Sequence, residues 1–291
     1  MDLSIVIINF NTKRLTEDCV ASILRTAAHI SFEIVVVDNS TRAEERYVPP
    51  EGESRVSAIV IENKGFGNGC NAGMAVSRGR YLLMLNSDTI VGERTLDESM
   101  VYMDEHADIG VLGVKILLRD GTLDHGCKRG FPTPMASLYY MLGFDKRHPG
   151  NPKYGRYRLT YLPEDAINEV DVVSGAYMLL RRTVYEQTGG FDEVFFMYGE
   201  DVDLCYRIKQ LGWKIVYYPP VSVLHLRGQS GLQAQNPFVL RQFYNSMLIF
   251  YDKHYRSVYN PFVTALVHLA VHAQKWIALI KAHGRAGRRP S

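Results

Sequence analysis

Short runs of apolar, mostly β-branched residues alternate along the chain with segments of helical periodicity. SIVIINF and EIVVVD are almost continuously apolar, which is typical of strands buried on both faces of a parallel sheet. The segment between them predicts a helix whose inner face carries Leu15, Cys19, Ser22, Ile23 and Thr26. VSAIVI predicts a third strand, NGCNAGMAVSRG a helix and RYLLMLN a fourth strand. This order of elements predicts an α/β fold around a central sheet.

The second half of the chain is less regular. From Arg119 to Glu169 the periodicity fades, and the segment holds many tyrosines and prolines at 132, 134, 149, 152 and 163. Long loops of this kind in compact domains are commonly functional, so we expect an excursion over a site. Regular patterns return in VDVVSGAYMLLRR, in a predicted helix from about Glu200 to Leu211, and in a predicted strand, WKIVYYP.

Composition places the chain among ordinary globular proteins. Its 291 residues suffice for one large domain or two modest ones, and 46% of them are hydrophobic while 22% are charged. The net charge is +2, but no acidic residue follows Asp252, whereas seven lysines and arginines do. Because the basic charge is confined to this tail, nucleic acid is not expected as a partner.

The cysteines and the first residues bear on the compartment. The four cysteines lie far apart without C-x-x-C spacing, so neither a disulfide framework nor a zinc site is expected, which favours a reducing compartment. MDLSIVIINF has no basic leader, and its apolar run is too short for a signal peptide or a membrane span. We therefore expect a cytoplasmic protein.

A glycine-rich stretch, NKGFGNGCNAG, follows the third predicted strand. It contains G-x-G-x-x-A, close to the fingerprint that binds the pyrophosphate of NAD. That fingerprint normally follows the first strand, where NFNTKRL has no glycine, so a dehydrogenase is disfavoured. Two interpretations remain: backbone that approaches an anionic ligand at a helix start, or a tight turn with a helix cap.

Aspartates end two of the predicted strands. Asp38 closes VVVDN and Asp88 closes LLMLNSD. Ligands of open α/β sheets bind beyond the carboxyl ends of the strands, although such acids also serve as turn formers or helix caps. Asp88 suits a divalent cation, which carboxylates and substrate phosphates commonly hold together. Asp38 suits hydrogen bonds from a base or a ribose.

The densest set of acids lies in FFMYGEDVDLCYR. Glu200, Asp201 and Asp203 precede a predicted helix, whose dipole stabilises carboxylates at its start. Asp203 and Arg207 also have the i, i+4 spacing of an ordinary ion pair. Because the preceding GGFDEVFFMYG is aromatic and glycine-rich, a carboxylate here could instead act as a general base. His225, in VSVLHLRGQS, is either a structural histidine or a ligand.

Taken in order, seven motifs resemble the family 2 glycosyltransferases, and among them the bacterial rhamnosyltransferase-like members. The motifs are SIVIINFN, VVVDNS, NKGFGNGCNAG, LLMLNSD, VSGAYMLLRR, GGFDEVFFMYGEDVDLCYRIKQLGW and HLRGQS. The resemblance implies a GT-A fold, with a mixed, mostly parallel central sheet flanked by helices. It implies a catalytic domain over residues 1–231, with a nucleotide-sugar-binding half (1–118) and an acceptor half (119–231). Residues 232–291 would form a C-terminal helical extension.

The resemblance also implies roles for particular residues. Asp201 corresponds to the general base, with Glu200 beside it, and Asp88 and His225 correspond to ligands of Mg²⁺ or Mn²⁺. Asn86 stands where the first acid of the family's D-x-D motif is expected, which leaves one carboxylate fewer. The positions implied to bind the donor are Asn9, Asn11, Asp38, Asn63, Gly65, Asn71, Asn86 and Gly175.

The implied reaction is a single displacement that inverts the anomeric centre of a sugar carried by a nucleotide diphosphate. The resemblance favours L-rhamnose from thymidine-diphospho-rhamnose, with uridine-diphospho sugars as the alternative. The acceptor would be a glycan or a lipid-linked saccharide in the synthesis of cell-surface polysaccharide such as lipopolysaccharide. We expect it to contact segment 119–169 and an aromatic wall of Phe195, Phe196 and Tyr198.

The last segment, from Ser257 onward, is apolar but interrupted by His268, His272, Gln274 and Lys275, so a membrane-spanning helix is not expected. A helix with Trp276 and a trailing basic cluster suits the surface of an anionic inner membrane. The alternatives are a helix packed on the domain or a dimer contact. The sequence does not indicate an oligomeric state.

Two other classes of function stay open. A non-catalytic carbohydrate-binding or scaffolding protein would explain the replacement at Asn86. A sugar-phosphate nucleotidyltransferase would share the nucleotide-binding half, but NTKRL lacks the glycine expected of its triphosphate loop.

Overall fold

A computed structural model describes residues 1–27, 29–226 and 236–286, with side chains to His283. The strands are Leu3–Asn9 (β1), Phe32–Asp38 (β2), Val56–Val60 (β3), Tyr81–Asn86 (β4), Thr89–Val91 (β5), Ile109–Leu117 (β6), Lys128–Arg129 (β7), Asn168–Glu169 (β8), Val172–Val173 (β9), Tyr177–Arg181 (β10) and Lys214–His225 (β11). The helices are Lys13–Thr26 (α1), Phe66–Val76 (α2), Thr95–Glu105 (α3), Pro134–Met141 (α4), Phe144–Arg147 (α5), Pro152–Gly155 (α6), Arg182–Thr188 (α7), Glu200–Gln210 (α8), Pro237–His254 (α9) and Pro261–Ala286 (α10), with a 3-10 turn at Ala43–Glu45.

One mixed sheet forms the centre, in the order β3-β2-β1-β4-β10-β6-β11-β5, and β8 pairs with β11 beside it. The strands β3, β2, β1 and β4 are all parallel, as the continuous apolar runs predict. The strand β10 runs antiparallel between β4 and β6 and thereby joins the two halves of the chain into one sheet. A separate pair, β7 with β9, lies off this sheet.

The parallel register brings polar residues together at one edge of the sheet. Asn9 pairs with Asp38 at the ends of β1 and β2, and Ile8 pairs with Asn86 at the end of β4. The carboxyl ends of these three strands therefore lie at the same edge of the sheet, where ligands of α/β sheets bind.

The predicted elements are present, with differences that have local causes. The helix α1 buries Thr16 in place of Leu15, because the Thr16 hydroxyl donates to the side chain of Asn9. VDVVSGAYMLLRR forms two strands, since a turn at Ser174–Tyr177 interrupts it. Segment 119–169 is not an unstructured excursion: it contains β7, β8 and three short helices.

The four cysteines are buried and unpaired, as their spacing predicts.

The helix α9 is held against α8 by a buried carboxylate. Asp203 bonds Arg207 at 2.8 Å, the predicted i, i+4 pair, and also Lys253 and His254 of α9, each at 2.7 Å. Burial opposes its charge, but the hydrogen bonds from these three side chains outweigh that effect and lower the pKa of Asp203 to about 2. Asp203 therefore attaches the C-terminal helices to the remainder of the protein.

Polar residues of the helix α10 contact the helix α9. His268 contacts Asp252 at 2.9 Å, and Lys275 donates to Asn245 at 2.8 Å. Pro261–His283 is long and apolar enough to cross a membrane, and none of its apolar window is buried. Length and composition therefore do not exclude a spanning helix, contrary to the expectation from its polar residues.

Candidate active site

The strand ends of β1 and β2 form a closed polar network. The carboxylate of Asp38 accepts hydrogen bonds from Asn9 Nδ2 at 2.7 Å, Tyr47 N at 2.6 Å and Ser40 N at 2.9 Å. Asp38 and Asn9 are both fully buried. In this conformation Asp38 and Asn9 fix the loop that follows β2, and their roles toward a nucleotide stay predictions.

Asn11 and Asn63 lie at the rim of the same edge. Asn11 has a positive φ of 54° and bonds Thr41 through its side chain. Asn63 accepts from Asn39 at 3.2 Å and from the amide of Gly65 at 3.1 Å. Both side chains stay partly exposed, so their predicted role toward a donor is compatible with where they lie.

The glycine-rich stretch packs closely against segment 191–196. Gly65 has φ of 107°, and a Cβ there would lie 2.3 Å from the carbonyl oxygen of Phe196. The amide of Phe66, first in α2, donates to that same oxygen at 2.8 Å. Asn71 bonds both the carbonyl and the amide of Phe191, each at 2.9 Å. Gly65 and Asn71 thus hold segment 191–196 over α2, and their role in binding a donor stays a prediction.

The aromatic wall is likewise part of the packing. Phe195 is a core residue, Phe196 packs edge-on against Phe238 of α9, and Tyr198 does the same against Phe243. Phe195 is therefore excluded from the predicted acceptor surface, since its side chain is buried.

The predicted metal ligands do lie together. Asp88 follows β4 and His225 ends β11, and the pairing of β11 with β5 sets them side by side. His225 Nε2 lies 3.1 Å from Asp88 Oδ1 and 3.4 Å from the side-chain amide of Asn86. Asn86 and Asp88 thus share one corner with His225, which is distant from them in the sequence.

Sequence reasoning missed a fourth member of this corner, Asp124. Its Oδ2 lies 3.4 Å from His225 Nδ1, so the imidazole lies between two carboxylates. Burial opposes the charged imidazolium, but the bonds to Asp124 and Asp88 outweigh it and raise the pKa of His225 to about 9. The corner is therefore arranged to hold positive charge.

The donor set can be tested against a divalent cation. Two adjacent ligands of an octahedral ion lie about 3 Å apart if each bond is about 2.1 Å, and Asp88 and His225 have that spacing. No group of three His, Cys, Asp or Glu in residues 1–27, 29–226 and 236–286 forms a metal cluster by itself. The residues therefore fit a cation that takes its remaining ligands from elsewhere, as Mg²⁺ does from substrate phosphates.

The predicted base lies across a short turn from this corner. The amide of Asn86 donates to the carbonyl of Ala176 at 3.2 Å, and a Cβ on the adjacent Gly175 would lie 3.9 Å from Cβ of Asp201. The turn at Gly175 therefore sits between Asn86 and the start of α8. A sugar lying against Gly175 would have the metal corner on one side and Asp201 on the other.

The two carboxylates at the start of α8 differ in their surroundings. Asp201 accepts from the amide of Val202 at 2.8 Å and forms an ion pair with Arg129, a residue that sequence reasoning also missed. Glu200 is buried, and its Oε2 finds no hydrogen-bond partner within the described parts of the chain. Burial first, and the charge of Asp201 second, raise the pKa of Glu200 to about 8.

Little in the sequence could have revealed Asp124 and Arg129. Both lie in DHGCKRG, inside the segment without periodicity. The spacing of an aspartate two residues before a glycine is a weak signal for a turn, and Asp124 Oδ1 does accept from the amide of Gly126 at 2.9 Å. Nothing in the pattern indicates that Arg129 reaches α8.

Comparison with known proteins gives this site its context. Residues 2–245 match the family model described as "Glycosyltransferase like family 2". Since this match covers most of the chain, the protein belongs to that family. The resemblance drawn from the seven motifs is thereby confirmed.

Two relatives are named as rhamnosyltransferases. The N-acetylglucosaminyl-diphospho-decaprenol L-rhamnosyltransferase of Mycobacterium tuberculosis is 32% identical over 151 residues, which cover 52% of this chain and 48% of that protein. Rhamnosyltransferase WbbL of Escherichia coli is 28% identical over 174 residues, covering 55% and 60%. The matched region thus spans about half the length of the mycobacterial relative.

Solved structures confirm the GT-A fold. TarS residues 1–349 of S. aureus, in complex with UDP-GlcNAc, has a TM-score of 0.56 at 18% identity, covering 86% of this chain and 65% of that one. GalNAc-T7 with UDP, GalNAc and Mn²⁺ has the same TM-score at 15% identity, covering 77% and 43%.

Proposed function

We propose that this glycosyltransferase moves a sugar, with inversion, from a nucleotide-diphosphate donor to a saccharide hydroxyl. The observation that carries the proposal is the turn at Gly175, which adjoins Asp201 on one side and the Asn86–Asp88–His225 corner on the other. A donor with its sugar against this turn would have its diphosphate beside Asp88 and an acceptor hydroxyl beside Asp201. A good leaving group is already present in such a donor, so position and electrostatics supply most of the catalysis.

Each residue has a chemical task in this scheme. Asp201 takes the proton of the acceptor hydroxyl as the hydroxyl oxygen attacks the anomeric carbon, a contribution of roughly 10²–10⁴ in rate. Attack from the face opposite the diphosphate gives inversion. Asp88 and His225, with Asn86 beside them, would hold Mg²⁺ or Mn²⁺ together with diphosphate oxygens. When bound, the cation would stabilise the negative charge of the leaving diphosphate.

For the donor we propose thymidine-diphospho-L-rhamnose, because both named relatives above are rhamnosyltransferases. Uridine-diphospho sugars are the second candidate, since the structurally similar TarS was solved with UDP-GlcNAc. For the acceptor we propose a lipid-linked saccharide, the chemistry that the name of the mycobacterial relative describes.

A lipid-linked acceptor requires the enzyme to work at a membrane, and we propose α10 as the contact. Five of its exposed apolar residues follow one another at spacings of three, four or seven positions and so form one stripe: Phe262, Leu266, Leu269, Trp276 and Ile280. Gln274 of α10 touches Met141 of α4 at 3.2 Å, and α4 is also apolar on its exposed side. Five lysines and arginines follow α4 between residues 146 and 158, and the tail after Asp252 is basic. This charge suits the anionic inner leaflet.

Liposome sedimentation tests the membrane contact. Leu269→Glu combined with Ile280→Glu should release the protein from vesicles containing anionic lipid, because both charges would enter the apolar layer. Val48→Glu is the matched control, since Val48 and Leu269 are each 67% exposed. Unchanged binding of the double variant would refute the contact. If the double variant still binds vesicles but no longer dimerises, the stripe contacts a second copy of the chain.

Thermal stabilisation by a panel of nucleotide sugars tests the donor and the metal corner. Saturating ligand at about 100 times its dissociation constant stabilises the folded state by about 2.7 kcal/mol. We expect one donor to stabilise the protein in the presence of Mg²⁺ or Mn²⁺. The effect should disappear in Asp88→Ala and persist in Asp201→Asn. Stabilisation that is equal in Asp88→Ala and wild type would contradict the proposed metal site.

A further inference from the structure

One short turn, residues 124–129, contacts both the base and the metal corner. At one end Asp124 bonds His225, and at the other end Arg129 pairs with Asp201. Between them Gly126 bonds both residues through its backbone. Its amide donates to Asp124 Oδ1 at 2.9 Å, and its carbonyl accepts from Arg129 Nε at 3.2 Å. A continuous chain of hydrogen bonds therefore runs from Asp201 to His225.

The arginine end is held by the strand that carries it. Lys128 and Arg129 form β7, in which successive side chains point to opposite faces. Lys128 is buried and donates to the carbonyl of Leu162 at 2.9 Å. Arg129 consequently faces the other way, toward Asp201. Since the amide of Val202 holds the second oxygen of that carboxylate, both of its oxygens are fixed.

The aspartate end holds the histidine in a similar way. Asp124 uses one carboxylate oxygen for the turn and the other for His225 Nδ1. The remaining ring nitrogen, Nε2, then faces Asp88 at 3.1 Å. A carboxylate behind a histidine commonly orients the ring toward a metal.

We propose that the turn 124–129 positions the catalytic site, with Arg129 fixing the base carboxylate and Asp124 fixing the imidazole of His225. This role rests on the proposed function of Asp201, Asp88 and His225. A turn that served folding alone would gain nothing from charge, since buried ion pairs are no more stabilising than apolar residues of similar size. Positioning gives the charges a use, because a displacement of about 1 Å at a reacting group can reduce the rate about 10²-fold.

Steady-state kinetics test the arginine end. With thymidine-diphospho-L-rhamnose as the donor, Arg129→Met should lower kcat about 10²-fold while the KM for the donor changes little. Added guanidinium should restore part of the loss in Arg129→Met. Arg119→Met is the matched control, because Arg119 is exposed in the same segment and lies outside the proposed membrane contact. An unchanged kcat, or equal losses in both arginine variants, would overturn the role of Arg129.

A binding measurement tests the aspartate end without using transfer activity. Asp124→Asn should raise the Mn²⁺ concentration needed for stabilisation by thymidine diphosphate, by about 10- to 100-fold. An unchanged Mn²⁺ requirement would overturn the role of Asp124. If the wild-type protein binds no nucleotide with any metal, the proposed function fails. Only the urea unfolding of the variants then tests whether the turn couples Asp124 to Arg129.

Urea unfolding of the two single variants and the double variant needs no ligand. Because one hydrogen-bond network joins Asp124 and Arg129, the double variant should lose less stability than the sum of the single losses. Additive losses would show that the two ends act independently and would contradict the proposal.

Discussion

The buried Glu200 makes the protein less stable as the pH rises, and Glu200→Gln should remove that effect. Burial and the neighbouring Asp201 raise the pKa of Glu200 from 4.5 to about 8. The folded protein therefore holds a proton that the unfolded chain has released. A carboxyl of this kind contributes its full stability below the unfolded pKa and loses it as the pH rises toward the folded pKa.

The size of the effect follows from the two pKa values. Between pH 4.5 and 8 the contribution of Glu200 falls by about 1.4 kcal/mol for each pH unit. At pH 7 the accumulated loss is about 3 kcal/mol relative to the protonated state. Glutamine keeps the shape of the side chain and never ionises, so Glu200→Gln should be the more stable protein at pH 7 by about that amount.

Urea unfolding of both proteins from pH 5 to pH 8 measures the difference. The variant and the wild type should be close at pH 5 and diverge steadily above it, and the difference isolates Glu200 from other groups, such as His225, that titrate in the same range. Glu186→Gln, an exposed glutamate on α7, is the matched control and should leave the pH dependence unchanged. A constant difference between wild type and Glu200→Gln across this range would refute the reasoning.

Further predictions concern the contacts that assemble the site. Gly65→Ala should destabilise the protein by at least 1 to 3 kcal/mol, roughly the cost of a strained backbone, because its Cβ would meet the carbonyl of Phe196; urea unfolding measures this, and an unchanged midpoint would contradict the close approach. Asp203→Asn should cost about 3–5 kcal/mol, since Arg207, Lys253 and His254 lose their shared carboxylate; proteolysis between α8 and α9 should accelerate, and equal cleavage rates would argue against this attachment. Asn71→Ala should speed hydrogen exchange at the amide of Phe191, which loses its acceptor; exchange at the wild-type rate would show that Asn71 does not clasp the segment.

The parallel half of the fold could be predicted because its residues encode it locally. Continuous apolar runs marked β1, β2 and β4, and the parallel register then brought Asn9, Asp38 and Asn86 to one edge without any further information. The pairing of β10 between β4 and β6 could not be predicted in this way, since strands distant in sequence choose partners through packing that no local pattern records.

The residues of the candidate site likewise differ in whether a local sequence pattern could indicate them. Asp88, Asp201 and His225 follow recognisable strand ends or a helix start, and the structure places Asp88 beside His225 as expected. Asp124 and Arg129 lie on a turn with no periodic pattern, so only the folded chain shows that they reach the site. Asn71 carried a sequence signal, but its amide bonds the backbone of Phe191, a choice that depends on segment 191–196 lying over α2.

Transfer itself is the most direct test of the account. The purified protein would be incubated with Mn²⁺, thymidine-diphospho-L-rhamnose or a uridine-diphospho sugar, and a lipid-linked saccharide, and the product analysed by mass spectrometry and by NMR of the anomeric proton. The account predicts a saccharide extended by one sugar with inverted configuration, and a product yield that falls by about 10²–10⁴ in Asp201→Asn. A product with retained configuration, or full activity in Asp201→Asn, would contradict it.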